Sequence, residues 1–383
     1  MNPIRPHVAV LVPILALLSL SACGGGGSSS TATTSALPMT GGGQSVTPMS
    51  LGDAGTQAGV ASGDSVSVLK QLTVKKTIGS TVDPMNGDQN PYGLDVARST
   101  SGKIKAGDFV ICNFNNKANV QGTGTTIEVL HPTVGAVPMR LAQHKSLRGC
   151  DALALSPGDD PWVAAFSAND NPIFTSSGMF VTALTQYPWY RPFGQAFSPI
   201  GPTGGSAFYE SNAADGSIVR INVDTSFNYT FDRIASGFGV NQGQPGSILG
   251  PSGLQYDTKL DRLYVIDGTT NTIVALNHVT TIPAGGIAVG PDGKTFSGPF
   301  AKRGKLIFAG APLNGPISSA LLPNGNLIVG NTLDPNGKNL MVEISTTTGH
   351  MLFVRNVDKG VGAAIFGMVA TGTTDQNTKL YFN

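Results

Sequence analysis

The residues best placed to do chemistry are polar ones that close short apolar runs: Asn113 in DFVICNF, Glu210 in GSAFYES, Asp267 in DRLYVID, Asn331 in GNLIVGN and Asn383 in KLYFN. Carboxylates and amides in such places either meet a polar ligand or cap a turn through the backbone, as Asn and Asp commonly do. Other chemistry is thinly represented. His131, His144, His278 and His350 show no metal-ligand spacing among themselves, and HExxH, GxSxG and CxxC are absent. GPDGKT at Gly290–Thr295 imitates a phosphate loop, but the leading glycine falls on Ala288, so it reads as a hairpin turn. YPWYRPF supplies Trp189, Tyr190 and Arg191, either as a flat platform for a sugar ring or peptide or as packing between sheets.

These groups sit behind an export signal. Arg5 precedes an apolar run from Val8 to Leu20, about 13 residues where a membrane span needs ~20. The run ends in Leu20, Ser21, Ala22 and Cys23, which resembles a lipobox. The resemblance implies a signal peptide over residues 1–22, diacylation of the Cys23 thiol and a lipid-bilayer anchor, since each buried methylene contributes ~0.8 kcal/mol. Gly24 after the cysteine implies sorting to the outer membrane. Residues 23–66 begin GGGGSSSTATTS and hold few large apolar or charged side chains, the composition of a flexible tether. With Cys23 acylated, Cys112 and Cys150 remain as a pair in an oxidising compartment, as a disulfide or as two buried thiols.

Residues 67–383 must position the candidate groups. Fifty glycines and 25 prolines with only 12% charged residues describe a chain that turns often, and no helix-forming run interrupts it, so an all-β fold is expected. A formal charge of +1 leaves no basic field for phosphates, so nucleic acid is not an expected partner. A short strand opening on a small residue recurs six times, as YGLDVARS, GCDALALS, FGQAFSP, SGLQYDT, ISSALLP and FGMVATG. The equivalent positions Gly93, Asp151, Gly194, Gly253, Ser318 and Gly367 are 43 to 65 residues apart, the length of a four-stranded propeller blade with loops.

The unit from Pro251 to Leu276, with Pro316–Ser345 behind it, resembles an NHL repeat. That implies a six-bladed β-propeller of the NHL and gluconolactonase-like kind, with seven blades as the alternative because the second unit is weak. The resemblance implies that Asn113, Glu210, Asp267, Asn331 and Asn383 gather at a central channel, where gluconolactonase-like enzymes hold a divalent cation; such oxygen donors suit calcium or magnesium. A streptogramin-lyase-like reading would need a histidine base at the mouth, with His144 the positional candidate. Ring closure is expected to recruit SVLKQLTVKKTI, residues 67–78, as the outer strand of the last blade. KLYFN supplies only a second strand there, so the last blade is expected to be short by one strand or cut short. With no convergent catalytic motif, the expected role is a membrane-anchored binding or scaffold module for a protein, glycan or small ligand. The alternative is a metal-assisted lactonase-like hydrolase or lyase.

Overall fold

The inner strands repeat a small residue because they crowd around one axis. The computed structural model describes residues 64–334, 336–357 and 364–383, together with the backbone of 45–48. Among them lie six successive sheets, each beginning with one of the six recurrent segments. The inner strands are Gln89–Val96, Cys150–Leu155, Pro192–Ser198, Pro251–Asp257, Ser318–Leu321 and Met368–Thr371. All six line one channel, so the protein is an all-β, six-bladed propeller. Within each blade neighbouring strands are antiparallel, and the second unit, weak in sequence, has its full four strands.

The glycines mark the closest approaches. A Cβ on Gly194 would lie 1.8 Å from Ser252 O, one on Gly367 2.5 Å from Tyr92 O, and one on Gly253 2.9 Å from Ile317 O. Each is a backbone oxygen of the next blade, so a side chain there would push two blades apart. In four blades the register shifts across this position, a bulge that turns the following side chains toward the axis.

The core is six seams and a plug. One buried apolar cluster fills each junction between adjacent blades, for example Trp162, Phe208 and Val219 between blades two and three, and Tyr264, Ile266, Leu327 and Val342 between blades four and five. Cys112 and Cys150 form a disulfide from the second strand of blade one to the inner strand of blade two. An insertion in blade four sends Ile287–Val289 and Phe296–Ser297 across to the outer edge of blade three, covering an otherwise unpaired strand.

Closure differs from the sequence expectation. The sixth blade orders its strands as Met368–Thr371, Lys379–Phe382, Ser45–Pro48 and Gly79–Ser80. Both strands missing from the KLYFN unit therefore come from the N-terminal side, one of them from within the stretch read as tether. Residues 67–78 are not a strand. Val68–Gln71 forms one helical turn whose Val68 and Leu69 are buried in the seam of blades five and six. The buried Glu343 carboxylate accepts from Ser67 Oγ at 2.6 Å, Leu69 N at 2.7 Å and Val68 N at 3.2 Å. A distant acid thus satisfies the orphan amides of the turn, and this overrides the β-branched character of the local sequence. Residues 1–44 and 49–63, including Cys23, lie outside the described residues.

Candidate functional site

Three consecutive residues from each inner strand wall the channel, which offers a water-accessible volume of about 70 Å³. That admits a few waters and no sugar-sized molecule. Two blades put a side chain where the other four have glycine: Ser318, whose Oγ donates to Ile365 O at 2.6 Å, and Asp151. Asp151 is 2% exposed and its Oδ2 has no partner, so burial pushes its carboxyl well above the usual range. At the next position of blades three and five stand Gln195, with both amide atoms unpartnered, and Ser319, with an unpartnered hydroxyl.

Glu210 pairs with Gln195 across the first two strands of blade three. Asn171, at the start of the third strand of blade two, donates to one oxygen of Glu210, and the other oxygen is unpartnered. Burial drives the Glu210 carboxyl far up; the Asn171 bond opposes this, while the charges of Asp170 and Asp151 add to it. Burial thus shifts both Asp151 and Glu210 toward the protonated form, the form that can donate a hydrogen bond.

The channel has two unlike ends. Where the inner strands begin, Tyr92 stacks between Phe114 at 4.2 Å and Phe366 at 4.1 Å, and Phe166 and Phe193 complete a buried aromatic plug. The guanidinium of Arg191 lies 5.2 Å from the Phe166 ring. Where the inner strands end, the channel widens to a mouth of about 180 Å³ of water-accessible volume, lined by Asp95, Arg98, Gln195, Gln255 and Tyr256 among others. Arg98 donates to Leu155 O at 2.9 Å, and the Asp159 carboxylate accepts from Arg98 N and Ser99 N, which fixes the guanidinium stem at the rim. Desolvation raises the Asp95 carboxyl, partly offset by Arg98. Gln255 donates to Ser319 O at 2.8 Å, tying blade four to blade five.

None of the five polar residues expected at the channel is among those that line it or its mouth. Asn113, Asp267 and Asn331 are buried at equivalent points beside the plug, and Asn383 lies one step earlier in its strand. Asn113 donates to Thr81 O at 3.0 Å and Asn331 to Pro312 O at 2.7 Å, while Asn383 accepts from Gly367 N at 2.7 Å. Asp267 accepts from Thr269 N at 2.8 Å and Gly239 N at 3.0 Å, a turn cap. A second strand is separated from the axis by the inner strand, so its side chains reach loops before they reach each other. Only Glu210 joins other buried acids. Asn113, Asp267, Asn331 and Asn383 are each tied to backbone in separate blades, and among the described residues no three His, Cys, Asp or Glu side chains converge, so these residues do not gather into the calcium or magnesium set implied by the resemblance.

The aromatic segment divides. Trp189 is buried in the seam of blades two and three, where its Nε1 donates to Leu184 O at 2.8 Å, and only Tyr190 and Arg191 reach the surface. His144 stacks on Phe180 at 4.2 Å beside the outer strands of blades one and two, away from the mouth. Sequence reasoning missed Gln195, Asn171 and Arg98, which break no motif. Asp151 did leave a signal: it is the one acid at a position otherwise held by Gly or Ser.

No protein-family model matches the chain, and no curated protein matches its sequence. Solved structures resemble its fold. A nidogen/laminin complex chain aligns at 13% identity and TM-score 0.50, covering 81% of this chain and 92% of the other. A catalytically inactive virginiamycin B lyase from Staphylococcus aureus, solved with quinupristin, aligns at 15% identity and TM-score 0.46 over 78% and 79% of the two chains. A periplasmic gluconolactonase from Pseudomonas aeruginosa gives 13% identity and TM-score 0.46 over 76% and 74%. Identities this low describe architecture, and propellers of this kind include enzymes and binding modules alike.

Proposed function

We propose that this protein is an exported lipoprotein, acylated on Cys23 and held at the outer membrane, whose NHL-like propeller is a recognition module for a small polar ligand at the channel mouth. Gln195 carries the reading. It is 7% exposed, stands where channel and mouth join, and leaves both amide atoms unpartnered. An unmet buried polar group costs about 1–3 kcal/mol, so the Gln195 amide is met by water or by a polar ligand that displaces it. The mouth's volume suits a headgroup or monosaccharide-sized fragment better than a protein loop.

The test is a thermal-shift panel of hexoses, amino sugars, glycerol phosphate and amino acids on the mature chain with Cys23→Ser, beside the same chain carrying Gln195→Leu. A ligand at a hundredfold its Kd adds about 2.7 kcal/mol to the folded state. At least one compound is expected to raise the midpoint of the first protein and not the second. If Gln195→Leu behaves like its parent across the panel, the proposal fails.

A second reading, a lactonase-like hydrolase or lyase, is favoured by one observation: Asp151 in the channel wall and Glu210 behind Gln195 are both buried acids whose carboxyls burial pushes up, the direction a general acid needs. It predicts turnover of an aldonolactone that Glu210→Gln abolishes. Equal rates in parent and variant would exclude Glu210 as the acid.

A further inference from the structure

Asp151 is the group of the channel that recognition at Gln195 leaves without a task. Four of the other blades carry glycine at its position, where the backbones pass so closely that a Cβ would meet the neighbouring blade. Blade two instead puts a carboxyl into this narrow space. Among the residues lining the channel only Asp151 and Tyr92 can ionise, and none is a lysine, arginine or histidine. Its Oδ2 has no hydrogen-bond partner, and among the described residues no cation pairs with the carboxyl.

Two more oxygens in the same wall lack donors. Gln195 Oε1 in blade three and Ser319 Oγ in blade five are unpartnered, and both residues are buried. Once Asp151 is ionised, acceptor oxygens outnumber donors in this space, which suits a cationic donor and offers an anion nothing. Toward the mouth the lining turns apolar, for Leu94, Leu153, Leu254 and Met368 belong to channel and mouth alike. The aromatic plug shuts the other end, so a ligand must enter past these four side chains. A hard metal ion wants about six oxygens and gains nothing from leucine and methionine on its way in. A methylene chain loses its contact with water against them, and that is favourable.

We propose that the channel takes the tip of a linear primary amine, its ammonium group paired with Asp151 and its methylene stem lying against Leu94, Leu153, Leu254 and Met368. The stem is unbranched because the water-accessible volume is about 70 Å³ and the close approach of the blades at the glycines leaves no room to widen it. An ammonium group brings three donors, enough for Asp151 and for the Gln195 and Ser319 oxygens. This deepens the mouth reading and rests on it for entry alone. Burial shifts the free acid toward its protonated form. An arriving ammonium favours the ionised form, so the carboxyl proton passes to solvent as the ion pair forms, and affinity rises with pH by up to about tenfold per unit. Glu210 and Tyr92 are the titratable groups that sense Asp151 from blades three and one, and burial pushes both up.

The test is titration calorimetry of n-pentylamine, n-pentanol and the branched tert-pentylamine on the mature chain carrying Cys23→Ser, across the neutral pH range and in two buffers of different ionisation heat. Binding of n-pentylamine is expected, with release of a proton and a Kd that falls as pH rises. Asp151→Asn matches the shape of the neutral acid, and Asp151→Gly restores the residue that four other blades carry. Each is expected to weaken the amine by about thirtyfold or more and to abolish the proton release. n-Pentanol or tert-pentylamine binding as tightly, a Kd indifferent to pH, or an amine affinity unchanged by both variants would overturn the proposal. Potassium chloride giving the same Asp151-dependent heat would overturn it too. A parent that binds a hexose but no amine loses this inference and keeps the mouth reading. One that binds n-pentylamine through Asp151, yet answers no compound in a way that Gln195→Leu alters, keeps the channel acid and loses the mouth reading.

Discussion

Replacing Glu128 with glutamine tests whether burial in this propeller holds acids in their neutral form. Glu128 lies in the third strand of blade one, Thr126–Leu130, fully buried and opposite Arg140. Arg140 is already committed: its Nε and Nη2 each donate to Asp83 at 2.6 Å. Burial first, and the neighbouring Asp83 carboxylate second, push Glu128 from the ordinary 4.5 up to about 10. Its folded pKa exceeds its unfolded one, so between these values the unfolded chain releases a proton that the folded chain keeps, and stability falls as pH rises. The slope is about 1.4 kcal/mol per pH unit, which amounts to roughly 3 kcal/mol by pH 7. Glutamine matches the shape of the neutral acid, keeps a donor toward Asp83 and carries no titrating proton. Urea unfolding of parent and Glu128→Gln at pH 5, 6, 7 and 8 should show the variant gaining about 1.4 kcal/mol on the parent with each unit. A constant difference across that range would refute the assignment of a buried neutral acid.

Three further outcomes are expected. Glu343→Ala strips the cap from the Val68–Gln71 turn and leaves Ser67, Val68 and Leu69 without their acceptor; a loss of about 2–4 kcal/mol, with early proteolysis near residue 68, checks it. Gly194→Ala forces a Cβ to within 1.8 Å of Ser252 O and should lower the unfolding midpoint sharply, whereas Gly158→Ala, whose nearest contact is 3.4 Å, should not; equal midpoints would show that the blades can spread. Reducing the Cys112–Cys150 bridge, which spans 38 residues, should cost about 4 kcal/mol by calorimetry, since the unfolded chain regains the loop's freedom.

Much of the architecture was legible because a propeller repeats itself. Six small-residue openings at blade-length spacing gave all six inner strands, and Gly and Pro frequency gave the all-β class, since both are local properties that survive reading one residue at a time. The ends of the ring were not legible. Residues 67–78 are rich in β-branched residues, yet Glu343, far away in sequence, turns their start into a helix, and Ser45–Pro48, within a Gly-rich stretch, joins the closing blade. The site was legible only in part. None of the five polar residues that close second strands lines the channel, because the inner strand stands between them and the axis; Glu210, behind Gln195, is the one that meets other buried acids.

The chain's order of residues settles what is local or periodic: the all-β class, the recurrence of the blade unit, and the small residue, glycine in four blades, where an inner strand approaches the next. The three-dimensional arrangement settles what depends on residues far apart meeting. It closes one end of the channel with Tyr92, Phe114, Phe166, Phe193 and Phe366, and leaves Gln195 without partners at the other. It pushes the carboxyls of Asp151 and Glu210 up, a shift that comes from the water excluded around them and not from their neighbours in sequence.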